Sequence, residues 1–174
     1  MADKVDFCII ISAGMEWRAI LPYFPDAEIQ PSPFGDYFTT VINGQDISFL
    51  HSGWGKVASA GATQYTIDRW YPRLLINLGT CGGVEGAVDL NDVILANETV
   101  IYDIIEGMSS FHAAIEHYSV QANLDWLGSS LPFQVKRLRL YSGDRDIRPE
   151  DVSGILRTFG AAAADWESGA FAWV

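Results

Sequence analysis

Three short stretches combine glycine with a hydroxyl, a thiol or an acid in a way suited to chemistry. They are Ser12-Ala13-Gly14, Gly79-Thr80-Cys81-Gly82-Gly83 and Ser142-Gly143-Asp144. Glycine lets the backbone approach a ligand closely, and exposed N–H groups can hold an anion or a ring nitrogen. Charge lies close by. Glu16 and Arg18 follow the first loop, and Glu167 stands beside Trp166 and shortly before Ala170. Glu167 is placed at a helix start, where the dipole favours the ionised carboxylate. No G-x-G-x-x-G follows the first strand and no G-x-x-x-x-G-K-[ST] occurs, so neither nucleotide fingerprint applies. His112 and His117, near Glu106 and Glu116, have a five-residue gap in a loop, which is poor metal-ligand spacing. No metal or other cofactor is expected. His51, at a strand end, reads as a structural histidine.

Each of the three loops ends an apolar run. Phe7-Cys8-Ile9-Ile10-Ile11 and Leu74-Leu75-Ile76-Asn77-Leu78 predict buried strands, and Leu138 and Leu140 alternate with Arg137, Arg139 and Tyr141 as in a third. Ligands in open α/β sheets bind at the carboxyl ends of strands, so three such exits can converge on one pocket. Met15, Ala19, Ile20 and Phe24 recur at helical spacing until Pro25, and Val57, Ala60, Ala62, Tyr65 and Ile67 line a helix over Lys56 to Trp70 that Pro72 closes. Asn43-Gly44 between Asp36 to Val41 and Gln45 to His51 predicts a hairpin. Asp92 to Ile105 predicts one long strand or two continuous ones, Glu106 to His117 a loop with room for a helical turn, and Leu124 to Leu131 a helix. Pro149 before Glu150 and Asp151 marks a helix start. Ala161 to Ala164 predicts a short strand before Asp165-Trp166-Glu167 and a last helix. Strands alternating with helices indicate α/β layers, and the hairpin makes the sheet mixed.

Composition limits the function classes. The 174 residues suggest a single domain over 1–174, able to bury roughly 70% of its unfolded surface without staples. Eleven Lys and Arg against 22 Asp and Glu leave a net charge of −11, which argues against nucleic acid or an anionic membrane as partner. Apolar runs fall far short of the ~20 residues that span a bilayer. Met1 to Asp6 lacks the pattern of a secretory signal. Cys8 and Cys81 read as free thiols of a reducing cytoplasm. Lys136, Arg137 and Arg139 read as a solvated face, while Trp54, Trp70 and Tyr65 cluster around one helix.

Ordered motifs then carry a resemblance. Ser52-Gly53-Trp54-Gly55-Lys56-Val57, Asn77-Leu78-Gly79-Thr80-Cys81-Gly82-Gly83 and Asn91-Asp92-Val93-Ile94 follow one another, with Ser142-Gly143-Asp144 and Asp165-Trp166-Glu167-Ser168-Gly169-Ala170 behind them. Together they resemble the purine nucleoside phosphorylase and nucleosidase superfamily, most closely the methylthioadenosine/S-adenosylhomocysteine nucleosidases. The resemblance implies a three-layer α/β/α sandwich with a mixed central sheet. It implies an enzyme that hydrolyses the N-glycosidic bond of a small purine nucleoside, without cofactor, as a cytoplasmic homodimer. By the same resemblance Glu167 accepts hydrogen bonds from the ribose hydroxyls and Trp166 packs on the sugar. Thr80 faces the nucleophile, and Cys81 and Gly82 line the base. Asp146 and Ile147 fall where an aromatic residue and a backbone clamp hold the purine. Breaking the glycosidic bond builds positive charge on the ribose, which a carboxylate stabilises.

The chain departs from this pattern at three places. Asp146 replaces the aromatic residue, which leaves the base open. The family's water-activating Glu lies three residues after a Met, but here Met15 is followed by Glu16, Trp17 and Arg18, so Arg18 holds that position. Glu16 and Thr80 are expected to position water. The alternative is a phosphorylase in which Arg18 holds phosphate, although Asn77 stands where a second phosphate-binding Arg is usual. A relative that binds nucleosides without turnover is the third reading. Family members also continue past the last helix into a strand carrying a proton-donating Asp, whereas this sequence stops at Val174. The expectation is a shortened relative of weak or no activity that covers its exposed surface by self-association.

Overall fold

The computed structural model describes residues 4–128, 131–148, 150–152, 154, 160 and 162–174. The chain divides into two compact units, Met1–Thr80 with Val174, and Cys81–Trp173.

In the first unit β1 (Phe7–Ile11) leads to α1 (Gly14–Ile20), which tightens into a 3-10 turn over Leu21–Tyr23. Then come β2 (Gln30–Pro31), β3 (Asp36–Ile42), β4 (Gln45–His51), α2 (Gly55–Trp70) and β5 (Leu74–Asn77). The sheet order is β2-β3-β4-β1-β5. β1 is parallel to both neighbours, with Ile9 opposite Phe49 and Ile76. β3 and β4 are antiparallel about Asn43 and Gly44, at φ of 51° and 77°. Positive φ at both central residues is what a two-residue hairpin of this hand requires and what Asn-Gly supplies.

Strand alternation sorts the side chains into two cores. Phe7, Ile9 and Ile11, with Phe38, Ile47 and Phe49, meet Trp17, Ile20, Leu21 and Phe24 of α1 and the turn behind it. Cys8 and Leu50 face the other way, against Val5 and against Ala62 and Trp70 of α2. The unit is therefore a three-layer α/β/α sandwich around a mixed sheet, as expected.

The helix faces differ from the apolar spacing. Met15 is 77% and Val57 87% exposed. Trp17 owns the inner face of α1 instead, and α2 turns Ser59, Ala62, Thr63, Thr66 and Trp70 inward at helical spacing. Small hydroxyl residues let a helix sit close to a sheet, and Thr63 Oγ1 satisfies itself by donating to the Ser59 carbonyl at 2.8 Å. Trp54 is 70% exposed at the helix start and takes no part in the aromatic cluster around Trp70. β5, at the end of the sheet, is half-buried along its length rather than buried.

The second unit holds β6 (Gly82–Gly83), β7 (Ile94–Ile101), α3 (Phe111–His117), β8 (Ser119–Gln121), β9 (Lys136–Ser142), β10 (Ala163–Asp165) and α4 (Ser168–Trp173). Its sheet order is β6-β10-β9-β7-β8, with β10, β9 and β7 parallel and both edge strands antiparallel. Val100, Tyr141 and Ala164 pack on Tyr102 and on Ile115 of α3.

Here too the structure corrects particular expectations. Residues 111–117, in a stretch expected as loop with room for a helical turn, form the longer α3, which Ser110 Oγ caps by accepting the Ala113 N–H at 3.3 Å. The helix expected over Leu124 to Leu131 is absent among the described residues, and a turn occupies 125–126. Asn123 explains it. Its side chain accepts the Asp125 N–H at 2.9 Å and its carbonyl the Trp126 indole N–H at 3.0 Å, which competes with helical pairing. Lys136 and Arg139 are paired rather than merely solvated, each 2.6 Å from a carboxylate, of Asp92 and Glu98 respectively. The helix start at Pro149 lies outside the described residues, although 150–152 are helical.

Trp70 is fully buried, with its ring edge-on to Tyr37 at 5.1 Å and to Tyr65 at 5.7 Å. Trp70→Ala is expected to cost about 3–5 kcal/mol by denaturant unfolding, the usual range for a large aromatic removed from a core.

Candidate active site

In the first unit three parallel strands deliver their carboxyl ends to one side of the sheet. β1 exits through Ser12-Ala13-Gly14, β4 through His51-Ser52-Gly53 and β5 through Leu78-Gly79-Thr80. The central feature is Glu16. Its Oε1 accepts both the backbone N–H and the hydroxyl of Thr80, each at 2.6 Å, and its Oε2 accepts the Ala13 N–H at 3.1 Å. The last bond closes half a capping box, since alanine has no acceptor to return. A Cβ on Gly79 would lie 3.0–3.2 Å from the Glu16 carboxylate, so a side chain there would press the carboxylate out of its present place by a few tenths of an ångström.

These bonds take three of the about four acceptor positions of a carboxylate. One position on Oε2 is left for a water, and the Thr80 oxygen keeps its lone pairs to accept from the same molecule. Arg18 is exposed and folds its guanidinium back, with Nη1 3.4 Å from where a Gly14 Cβ would stand. The His51 ring reaches 4.0 Å from that same point and stacks on Trp17 at 5.6 Å and 11°. Arg18 and His51 therefore gather donors over the first loop. His51 was not among the residues expected here, and its strand-end position beside Ser52-Gly53 was the available signal. Behind them Ser12 and Ser52, both buried, face each other with their hydroxyls 3.4 Å apart.

The remaining expected residues fall in the second unit. Glu167 is half-buried and directly precedes α4, where its carbonyl accepts the Phe171 N–H at 3.0 Å. It thus occupies the cap position, one residue earlier than the first turn expected for it. Trp166 is also half-buried. Gly82 pairs with Ala164 across the β6–β10 ladder, and Cys81 precedes it, exposed. Partial burial, and then the charge of Asp165, push the Cys81 thiol up. Asp146 is exposed, and Ile147 packs against the core around Tyr141. A residue to which the sequence alone assigns no role joins this group: Asp165, whose Oδ1 accepts the Ser142 hydroxyl at 2.6 Å. Burial pushes its carboxyl up, against the opposing pull of the Ser142 and Ser168 bonds. Among the described residues, His, Cys, Asp and Glu form no group of three that could hold a metal ion.

This geometry, acids and hydroxyls at the carboxyl ends of parallel strands in a mixed α/β fold, agrees with what the comparisons with known proteins find. The sequence pattern of the phosphorylase superfamily matches residues 6–174, and the chain belongs to that superfamily. A 5′-methylthioadenosine/S-adenosylhomocysteine nucleosidase of Geobacillus sp. (strain WCH70) is 36% identical over 69 residues, which span 40% of this chain and 30% of that relative. Among solved structures, the same kind of nucleosidase from Neisseria meningitidis, in complex with methylthio-immucillin-A, superposes with a TM-score of 0.76 at 19% identity, covering 95% of this chain and 77% of the other. A futalosine hydrolase mutant of Helicobacter pylori gives 0.74 at 20% identity, covering 96% and 81%. These likenesses bear out the α/β fold with mixed sheets. No helix among the described residues is long and apolar enough to cross a membrane.

The two cysteines provide a check on the packing of both units. Burial pushes the Cys8 thiol up to about 12, so at pH 8 it is almost wholly protonated and enclosed. Cys81 is exposed. A maleimide at pH 8 is expected to label one thiol in the native chain, Cys81, and two after denaturation. Labelling of the native Cys81→Ser variant would contradict the burial of Cys8.

Proposed function

We propose that the chain is a nucleosidase: it hydrolyses the N-glycosidic bond of methylthioadenosine- or S-adenosylhomocysteine-like purine nucleosides, with water as nucleophile. The observation that carries this reading is the Glu16–Thr80 contact. It places a carboxylate with one open acceptor position beside a hydroxyl, at the carboxyl ends of strands, where open α/β sheets bind ligands. Glu16 takes the water proton, and Thr80 orients the water. Glu167 accepts the ribose hydroxyls and stabilises the positive charge that grows on the sugar as the base departs. Trp166 packs on the sugar, and the backbone at Cys81, Gly82 and Ile147 lines the purine, with Asp146 in place of an aromatic cover. The 5′ substituent stays open, since the related structures include both a methylthioadenosine-type nucleosidase and a futalosine hydrolase. The reading also includes a cytoplasmic location, supported by the two free thiols, and a homodimer, supported by the resemblance.

One observation favours a second reading. Arg18, turned over Gly14 with His51 at the same point, is a cation at a glycine loop and suits phosphate. A phosphorylase would use phosphate where the nucleosidase uses water.

Base release from methylthioadenosine, followed with and without phosphate, separates the two. The expected result is adenine and free methylthioribose at a rate that phosphate leaves unchanged. Glu16→Gln is expected to lower kcat by roughly 10²–10⁴-fold, and Glu167→Ala to lower kcat/KM by roughly 10²–10³-fold. A phosphate-dependent rate yielding the sugar 1-phosphate would establish the second reading. Full turnover by Glu167→Ala would overturn the assignment of that residue.

A further inference from the structure

Resting on the nucleosidase reading, we propose that Asp165 is the positioning residue for Glu167, anchored by Ser142 on the neighbouring strand. Asp165 ends β10, directly opposite Ser142, which ends β9. The Ser142 hydroxyl donates to Asp165 Oδ1 at 2.6 Å and accepts the Gly169 N–H at 2.7 Å. Asp165 Oδ2 accepts the Ser168 N–H at 3.0 Å and the Ser168 hydroxyl. The Asp165 carbonyl in turn accepts the Gly143 N–H at 3.2 Å.

One carboxylate therefore holds the backbone of Ser168, the residue directly after Glu167, while the Ser142 hydroxyl holds that of Gly169. All of these donors are neutral, so the acid serves as a hub of hydrogen bonds and forms no ion pair with them. The seat beneath the turn is rigid as well. A Cβ on Gly169 would come within 2.6 Å of Ile101 Cγ1 and 3.0 Å of Ser142 Cβ, so α4 begins in direct contact with β7 and β9.

An ordinary helix cap needs one side-chain acceptor near the first turn. Here the acid stands three residues before the helix and is tied to a second strand, which serves placement rather than helix stability. Placement matters for Glu167 because its task is to meet two hydroxyls of a sugar, and a misplacement of about 1 Å can cost roughly 10²-fold in rate.

The test combines Asp165→Asn with Glu167→Ala in the full chain. Asparagine keeps the shape but turns an amide N–H₂ toward groups that already donate. Asp165→Asn alone is expected to lower kcat/KM on methylthioadenosine by roughly 10–100-fold. In the Glu167→Ala background the same change is expected to cost less than about threefold, because residues acting as a unit are not additive. Ser142→Ala should lower activity in the same way, and Ser142→Thr, which keeps the hydroxyl, should restore it. Amide exchange supplies a readout independent of turnover: Ser168 and Gly169 should exchange about tenfold faster in Asp165→Asn, with β7 and β9 unchanged. Wild-type kcat/KM in Asp165→Asn, or an equal loss with and without Glu167, overturns the proposal. A native chain that releases no base overturns the nucleosidase reading and this role with it. Unchanged exchange in that case removes the anchoring as well.

Discussion

The Glu16 carboxylate ties the exit of β1 to the exit of β5. β1 is the middle of three parallel strands, so its loop and that of β5 leave the sheet side by side, each with backbone N–H groups that no strand partner satisfies. A single ionised side chain answers both, through the Ala13 and Thr80 N–H groups. Hydrogen bonds to a charged group are stronger than those between neutral groups, and solvent at the exposed Thr80 weakens this latch without removing its hold on the geometry. The local geometry of both exits depends on it. Gly79 leaves the carboxylate its room, Thr80 turns its hydroxyl toward it, and the first turn of α1 starts at Gly14, which lets Glu16 reach back.

The second unit solves a similar problem with the same chemical means. Asp165 collects neutral donors where a strand passes into a helix, and Ser142 extends the reach of that acid to the adjacent strand. Cations are used elsewhere. Lys136, Arg139 and Arg145 are each held 2.6 Å from a carboxylate, of Asp92, Glu98 and Asp151 respectively. In a chain with twice as many acids as bases, this leaves carboxylates to act as acceptors for backbone and hydroxyl groups. That is the kind of group a reaction building positive charge on a sugar requires.

Glu16 and Arg18 are placed by the same short segment that packs the core. Trp17 between them is buried against Phe38 and stacks on His51, which fixes the rotation of α1. With Trp17 facing the core, its two neighbours must point elsewhere. Glu16 goes to Thr80 and Arg18 turns back over Gly14. The two-residue shift of Glu16 from the position that Arg18 holds is thus compatible with a carboxylate held at the Gly-Thr loop.

The amino-acid sequence by itself determined the longer strands, the hairpin and the glycine loops, while the short strands Gln30–Pro31, Gly82–Gly83 and Ser119–Gln121 carry no local signal. Phe7–Ile11 and Lys136–Ser142 are legible because side-chain alternation and continuous apolar runs are local signals. Asn43-Gly44 is legible because its backbone preference is local too. It also determined that Glu16, Thr80 and Glu167 are the candidates for chemistry, since residue type and motif order need no coordinates. The tertiary structure alone decided which faces are inward: Trp17 rather than Met15 on α1, and Ser59, Thr63 and Thr66 rather than Val57 on α2. It alone decided that Glu16 bonds Thr80 across 64 positions of chain, and that Asp165 and Ser142 act together across 23. The physical reason is range. Propensity and periodicity are set within a few residues, whereas a hydrogen bond between two strand exits exists only once the sheet has placed those strands side by side.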